Sequence, residues 1–224
     1  MFLRGSILFA VVLFAFGCDS ASQRQLGDKS VPAIVKRPVA VATHTFDPTS
    51  PPAEMPPLSA GENAECDSNF LSNASVRGET RRNDATHATL TVTGVKVTLQ
   101  LNINIWVPAG ASQHLIEHEQ GHRQISEYYY ETADKLAERI AAAYVGRRID
   151  ISGADLNVES GKMLQQLATE INDEYSKELN PQPTQLLYDT ITDHGRNEVI
   201  VKDAVEHALK NVMVESAGAS NANR

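Results

Sequence analysis

His118-Glu119-Gln120-Gly121-His122 sets two imidazoles one helical turn apart with a carboxylate beside the first, the H-E-x-x-H spacing. Residues i and i+4 of an α-helix share a face, so both rings can reach one tetrahedral metal ion, while Glu119 projects about 100° away. In zinc hydrolases a glutamate at this position is the general base that takes a proton from the attacking water. His118 and His122 are therefore candidate ligands and Glu119 a candidate base. Histidines four apart on an apolar face also occur as ordinary core residues, and His114 extends the series toward His118. Only the pairing of His118 with His122 gives Glu119 a role.

The surrounding residues predict the helix that must carry this motif. Leu115, His118, His122, Ile125, Tyr129, Ala133, Leu136 and Ile140 recur at three- and four-residue intervals, Ser112 is a candidate N-cap, and Gly146 with Arg147 and Arg148 marks a stop. Gly121 inside the helix costs about 1 kcal/mol relative to alanine, so close approach of a neighbouring strand or of substrate is expected there. Upstream, Val95, Val97, Leu99, Leu101, Ile103 and Ile105 alternate with polar residues. Ala88, Leu90 and Val92 alternate with threonines, and Thr93-Gly94 reads as a hairpin turn between the two strands. Downstream come an amphipathic helix from Leu156 to Leu179, a loop carrying Tyr188 to Gly195, and a last helix from Val201 to Val212. The expected class is α+β, with a small antiparallel sheet packed on the long motif helix and further helices.

The N-terminal third reads differently. Residues 1–17 form a lipoprotein-type signal peptide: Arg4, an apolar run too short to span a bilayer, then Ala15 and Gly17 before Cys18, the expected lipidation site. This predicts a membrane anchor through an N-terminal lipid at the bacterial cell envelope, facing the periplasm. If Cys18 is not lipidated, the protein is secreted, and a Cys18–Cys66 disulfide is the competing use. Residues 18–60, rich in proline and serine, are expected to be a disordered tether, residues 61–214 the domain, and 215–224 a disordered tail. A net charge of −8 without a basic cluster excludes nucleic acid as a partner, and the run at 77–82 reads as a solvated loop. Cys66, between Glu65 and Asp67, is a poor nucleophile. No signal of oligomeric state is present.

A catalytic zinc needs a third protein ligand and an open position. Metzincins carry a glycine and a histidine where this chain has Ile125 and Tyr128, which excludes that family. Farther on, Tyr188-Asp189-Thr190-Ile191-Thr192-Asp193-His194-Gly195 concentrates polar groups. His194 is the third-ligand candidate on chemistry; Asp189 or Asp193 could replace it, or orient a histidine through its second ring nitrogen. Tyr188 is a candidate donor to the transition-state oxyanion, or a structural tyrosine.

Two blocks, Leu115-Ile116-Glu117-His118-Glu119-Gln120-Gly121-His122 and Tyr188-Asp189-x-x-Thr192-x-His194-Gly195, resemble the H-E-Q-G-H and Y-D-x-x-T-x-H-G segments of a bacterial family of predicted secreted zinc-dependent proteases, a domain of unknown function. The likeness covers roughly residues 65 to 200. It implies a zincin-like metallopeptidase domain, Zn2+ held by His118, His122 and His194, Glu119 as base, and a peptide or protein substrate. Arg123 and Arg196-Asn197-Glu198 depart from the family pattern and bear on the substrate pocket. The expected function is a zinc-dependent peptidase of the cell envelope, with an antiparallel edge strand near the helix holding an extended peptide. The alternatives are a non-catalytic zinc-bound envelope binding lipoprotein and a metal-free envelope scaffold whose histidines are core residues.

Overall fold

The computed structural model describes residues 31–58 and 61–222. Along the chain run β1 (Ala33–Lys36), β2 (Ala40–Phe46), β3 (Glu65–Arg82), β4 (His87–Pro108), α1 (Gln113–Glu131), α2 (Ala133–Ala142), β5 (Arg148–Ser152), α3 (Leu156–Glu178), α4 (Gln182–Thr192) and α5 (Val201–Ala222). β4, 22 residues long, is the spine of a five-stranded sheet. β3 lies antiparallel along one edge of it. The other edge is shared end to end: β5 pairs antiparallel with residues 87–91, β1 parallel with 96–99, and β2 parallel with 102–108. The class is α+β as expected, but the sheet is mixed rather than small and antiparallel. A long strand edge left open by β5 recruits whatever extended chain can satisfy its backbone groups.

β1 and β2 also revise the N-terminal division, because they lie inside the stretch expected to be a disordered tether. Most of their side chains are exposed, so no alternation marks them in the sequence; pairing with β4 and the buried Phe46 hold them. The signal segment and Cys18 lie outside the described residues.

Val95 through Ile105 alternate into the core as predicted. Thr93-Gly94 is not a hairpin turn. The register steps there by one residue, with Arg77 opposite Gly94 and Gly78 opposite Val92. That step moves the inward face from odd to even numbers, so Ala88, Leu90 and Val92 are buried on the same continuous strand. The reversal lies at 83–86, where Asp84 Oδ1 accepts from the backbone N–H groups of Thr86 and His87. The run at 77–82 therefore belongs to β3 and not to a solvated loop. It escapes the hydrophobic pattern because Cys66, Ser68, Ser72 and Ala74 occupy inward positions where large apolar residues would have signalled a strand.

The predicted long helix is two, α1 and α2, parted at Thr132, where φ −104° and ψ 6° leave helical geometry. Ser112 caps α1 as expected, its Oγ accepting from Leu115 N at 3.2 Å, and Gly146 takes φ +82° at the stop. α2 and α3 help to close the main core over β4 through Ala137, Ile140, Leu167 and Ile171. On the far side of α1 a smaller core joins Ile125 to Tyr188 of α4 and Ala204, Val205 and Ala208 of α5. The motif helix is thus held between the sheet and the α4–α5 pair. α5 continues to Ala222, through residues expected to be a disordered tail. No described helix is long and apolar enough to cross a membrane.

Candidate metal centre

His118 and Glu119 are each 1% exposed on the inner face of α1. The Nε2 atoms of His118 and His122 lie 3.2 Å apart. Asp189 Oδ1 stands 2.8 Å from His122 Nε2 and 3.6 Å from His118 Nε2. Ligands held tetrahedrally about 2.0–2.1 Å from a zinc ion are about 3.3 Å from each other, so this triangle has the right size. Two imidazoles and a carboxylate are also a donor set that zinc accepts. The structure brings together His118, His122 and Asp189, whereas the resemblance implies His194 as third ligand.

Helix α4 explains why. The segment expected to be a loop is helical through Thr192, which puts Gln185, Tyr188, Asp189 and Thr192 on one face at three- and four-residue spacing. Gln185 fastens His122: its Oε1 lies 2.7 Å from His122 Nδ1, and its Nε2 donates to the His122 carbonyl at 3.1 Å and to Ser126 Oγ at 3.0 Å. His122 Nδ1–H donates to Gln185 Oε1, which leaves Nε2 as the nitrogen facing Asp189 and His118. Ser126 Oγ in turn donates to Ser68 Oγ at 2.8 Å, tying the helix to β3.

Tyr188 is fully buried, its ring stacked on His118 at 5.1 Å and its hydroxyl donating to the His118 carbonyl at 3.1 Å. An added Cβ on Gly121 would sit 2.1 Å from that hydroxyl oxygen. The close approach expected at Gly121 is therefore made by a tyrosine of α4, not by a strand or substrate. In this position the Tyr188 hydroxyl, wedged between Gly121 and a helix carbonyl, braces the histidine, which fits the structural-tyrosine alternative to the expected catalytic role. Thr192 Oγ1 donates to the Tyr188 carbonyl at 2.8 Å and closes the last turn.

Beyond it the chain turns sharply. Asp193 and His194 take φ 48° and 55°, and Gly195 φ 71°; non-glycine residues in this region cost of order 1 kcal/mol or more each. A Cβ on Gly195 would lie 2.8 Å from His118 Cγ, so glycine alone lets the turn close over His118. The turn carries His194 back to Glu62, whose Oε1 contacts His194 Nδ1. Asp193 points the other way, exposed and paired with Arg196 at 2.9 Å, so it orients no ligand. His114 lines a separate hollow beside Glu198 and Lys202.

A cleft of about 380 Å³ opens on the centre, lined by Glu62, Glu119, His122, Asp189 and His194 together with the start of β3. Burial pushes His118 down to about 4, aided by His122 and opposed by Asp189, so this ring is neutral. Burial also disfavours charge on His122, but its hydrogen bond to Asp189 and that carboxylate's charge, with Glu119 and Gln185, raise it to about 9. At neutral pH the His122–Asp189 pair therefore holds a proton, which any metal ion bound there would have to displace. Glu119 is raised to about 8 by burial, reinforced by Glu62, Glu65 and Asp189 and opposed by His122. Cys66 is pushed up by burial first and Glu119 second, in keeping with a poor nucleophile.

Sequence reasoning missed Glu62 and Gln185. Gln185 was within reach, since it precedes Tyr188 and Asp189 by three and four residues on one helical face. Glu62 sits in irregular chain before β3, where no periodicity singles it out. Compared with known proteins, the chain matches no family model, no curated protein and no solved structure.

Proposed function

We propose that this protein is a zinc-dependent peptidase of the bacterial cell envelope with a zincin-like site, in which His118, His122 and Asp189 hold the ion and Glu119 is the general base. The observation that carries the reading is the convergence of two Nε2 atoms and one carboxylate oxygen at tetrahedral ligand spacing, with a buried glutamate beside them at an open cleft. A bound zinc ion would supply Lewis acidity for the scissile carbonyl and for the attacking water. Glu119 takes that water's proton and passes it to the leaving amine. Its carboxyl, held near 8 by burial in the metal-free cleft, ionises more readily once a cation is close. A purely structural site has no use for such a group, which favours catalysis over a binding lipoprotein.

Peptide as substrate is supported by β3. Among the described residues β3 pairs only with β4. Ala74 N donates outward to Asn172 Oδ1 at 3.0 Å, so strand alternation turns the main-chain groups of Cys66 and Ser68 to the same outer edge, at the cleft. An extended chain added there would be held by backbone hydrogen bonds with little demand on its sequence. The test is hydrolysis of an unfolded protein such as casein by the zinc-loaded full chain. Glu119→Gln should lower turnover by about 100-fold to 10,000-fold while zinc content stays unchanged. Equal turnover in both proteins would overturn the reading.

A further inference from the structure

The geometry points to a second divalent-cation site beside the first, formed by Glu62, Asp189 and His194, with Asp189 shared between the two ions. This inference rests on the metal reading of the first site. The ligand atoms of Glu62, Asp189 and His194 lie within 4.8 Å of one another, as do those of His118, His122 and Asp189. Asp189 is the residue common to these two groups, and Glu62 also lies within the same spacing of His118 and Glu119, so the second position adjoins the first through both carboxylates. Glu62 gives the second group its independent support: its side chain is 9% exposed, and its Oε2 is buried without a hydrogen-bond partner. Buried carboxylate oxygens are paired or coordinate metal ions, and the guanidinium whose charge bears on Glu62, that of Arg196, is hydrogen-bonded to Asp193.

Charge favours the same conclusion. The cleft lining carries five carboxylates, on Glu62, Glu65, Asp67, Glu119 and Asp189, and no lysine or arginine. Of these, Glu62 and Asp189 belong to the proposed site, and a second ion there would balance their charge beside the first ion. Two carboxylates and one imidazole suit zinc, manganese or cobalt and leave coordination positions open to substrate. The strained turn at Asp193 and His194 gains a purpose, because it alone swings His194 from the end of α4 to face Glu62.

The test is zinc titration of the metal-free full chain by calorimetry, with bound metal counted after dialysis, for the parent protein, Glu62→Gln and His194→Ala. The parent should take two equivalents, the second weaker. Each variant should lose the second and keep the first, whose retention also shows that the variant is folded. Cobalt loaded to two equivalents should show spin coupling between ions bridged by Asp189. One equivalent in the parent, or two in both variants, overturns the second site and leaves the first intact. No bound zinc in the parent overturns both.

Discussion

On α1 the motif residues turn their reactive atoms toward the proposed metal centre, His118 and His122 through Nε2 beside Asp189 and Glu119 through its carboxylate beside His118, whereas on α4 only Asp189 does so. Apart from His194, which faces Glu62, the other residues of the second block serve the contact with α1. Tyr188 fills the notch that Gly121 leaves, Gly195 lets the chain lie on His118, and Thr192 closes the turn between them. The difference teaches that a motif spaced along two helices can encode the packing that aims the ligands as much as the ligands. Gly121 and Gly195 are then two halves of one device: each removes a Cβ at the point where α4 and its turn press on the histidine face.

Breaking that contact should have the largest effect on stability. Gly121→Ala places a methyl 2.1 Å from the Tyr188 hydroxyl oxygen, and overpacking of this kind costs about 3 kcal/mol, less the ~1 kcal/mol that alanine gains in helix propensity. Denaturant unfolding measures it. In a Tyr188→Ala background the same change should cost less, since the clash is gone, and equal costs in both backgrounds would separate the two residues.

The next effect falls on the ligand rather than the fold. Gln185→Ala removes the acceptor at His122 Nδ1 and should weaken zinc binding about 10-fold to 100-fold, read by competition with a chelator. Unchanged affinity would mean that His122 is aimed by packing alone. Tyr188→Phe sharpens the comparison from the small side. Losing the bond to the His118 carbonyl should cost about 1 kcal/mol of stability and leave turnover close to the parent's. A large loss of turnover at unchanged stability would restore the oxyanion role.

The same contrast explains what could be read in advance. The α1 block was legible because its chemistry and its periodicity coincide: the histidines lie on the apolar stripe, and Ser112 and Gly146 bound the helix pair. The α4 segment was hidden because Pro183 and a cluster of Asp and Thr residues look like a loop, although Pro183 falls in the first turn of the helix, where its missing N–H is harmless. β4 was legible through its alternation, but a one-residue register step reads as a turn when the partner strand is unknown. β1, β2 and β3 were not, since their place is fixed by backbone pairing with β4 and by small inward residues, neither of which leaves a hydrophobic signature. That dependence also bears on experiment: a fragment starting at residue 60 lacks two strands of the sheet.

The central claim is that Asp189, carried by α4, completes the histidine pair of α1. Zinc affinity of the full chain with Asp189→Ala, beside His194→Ala, tests it most directly. Loss of tight zinc binding in Asp189→Ala, by more than the ~100-fold expected of an outer partner, with the tight equivalent retained in His194→Ala, is the predicted result. Tight zinc retained in Asp189→Ala and lost in His194→Ala would contradict it and return the third ligand to His194.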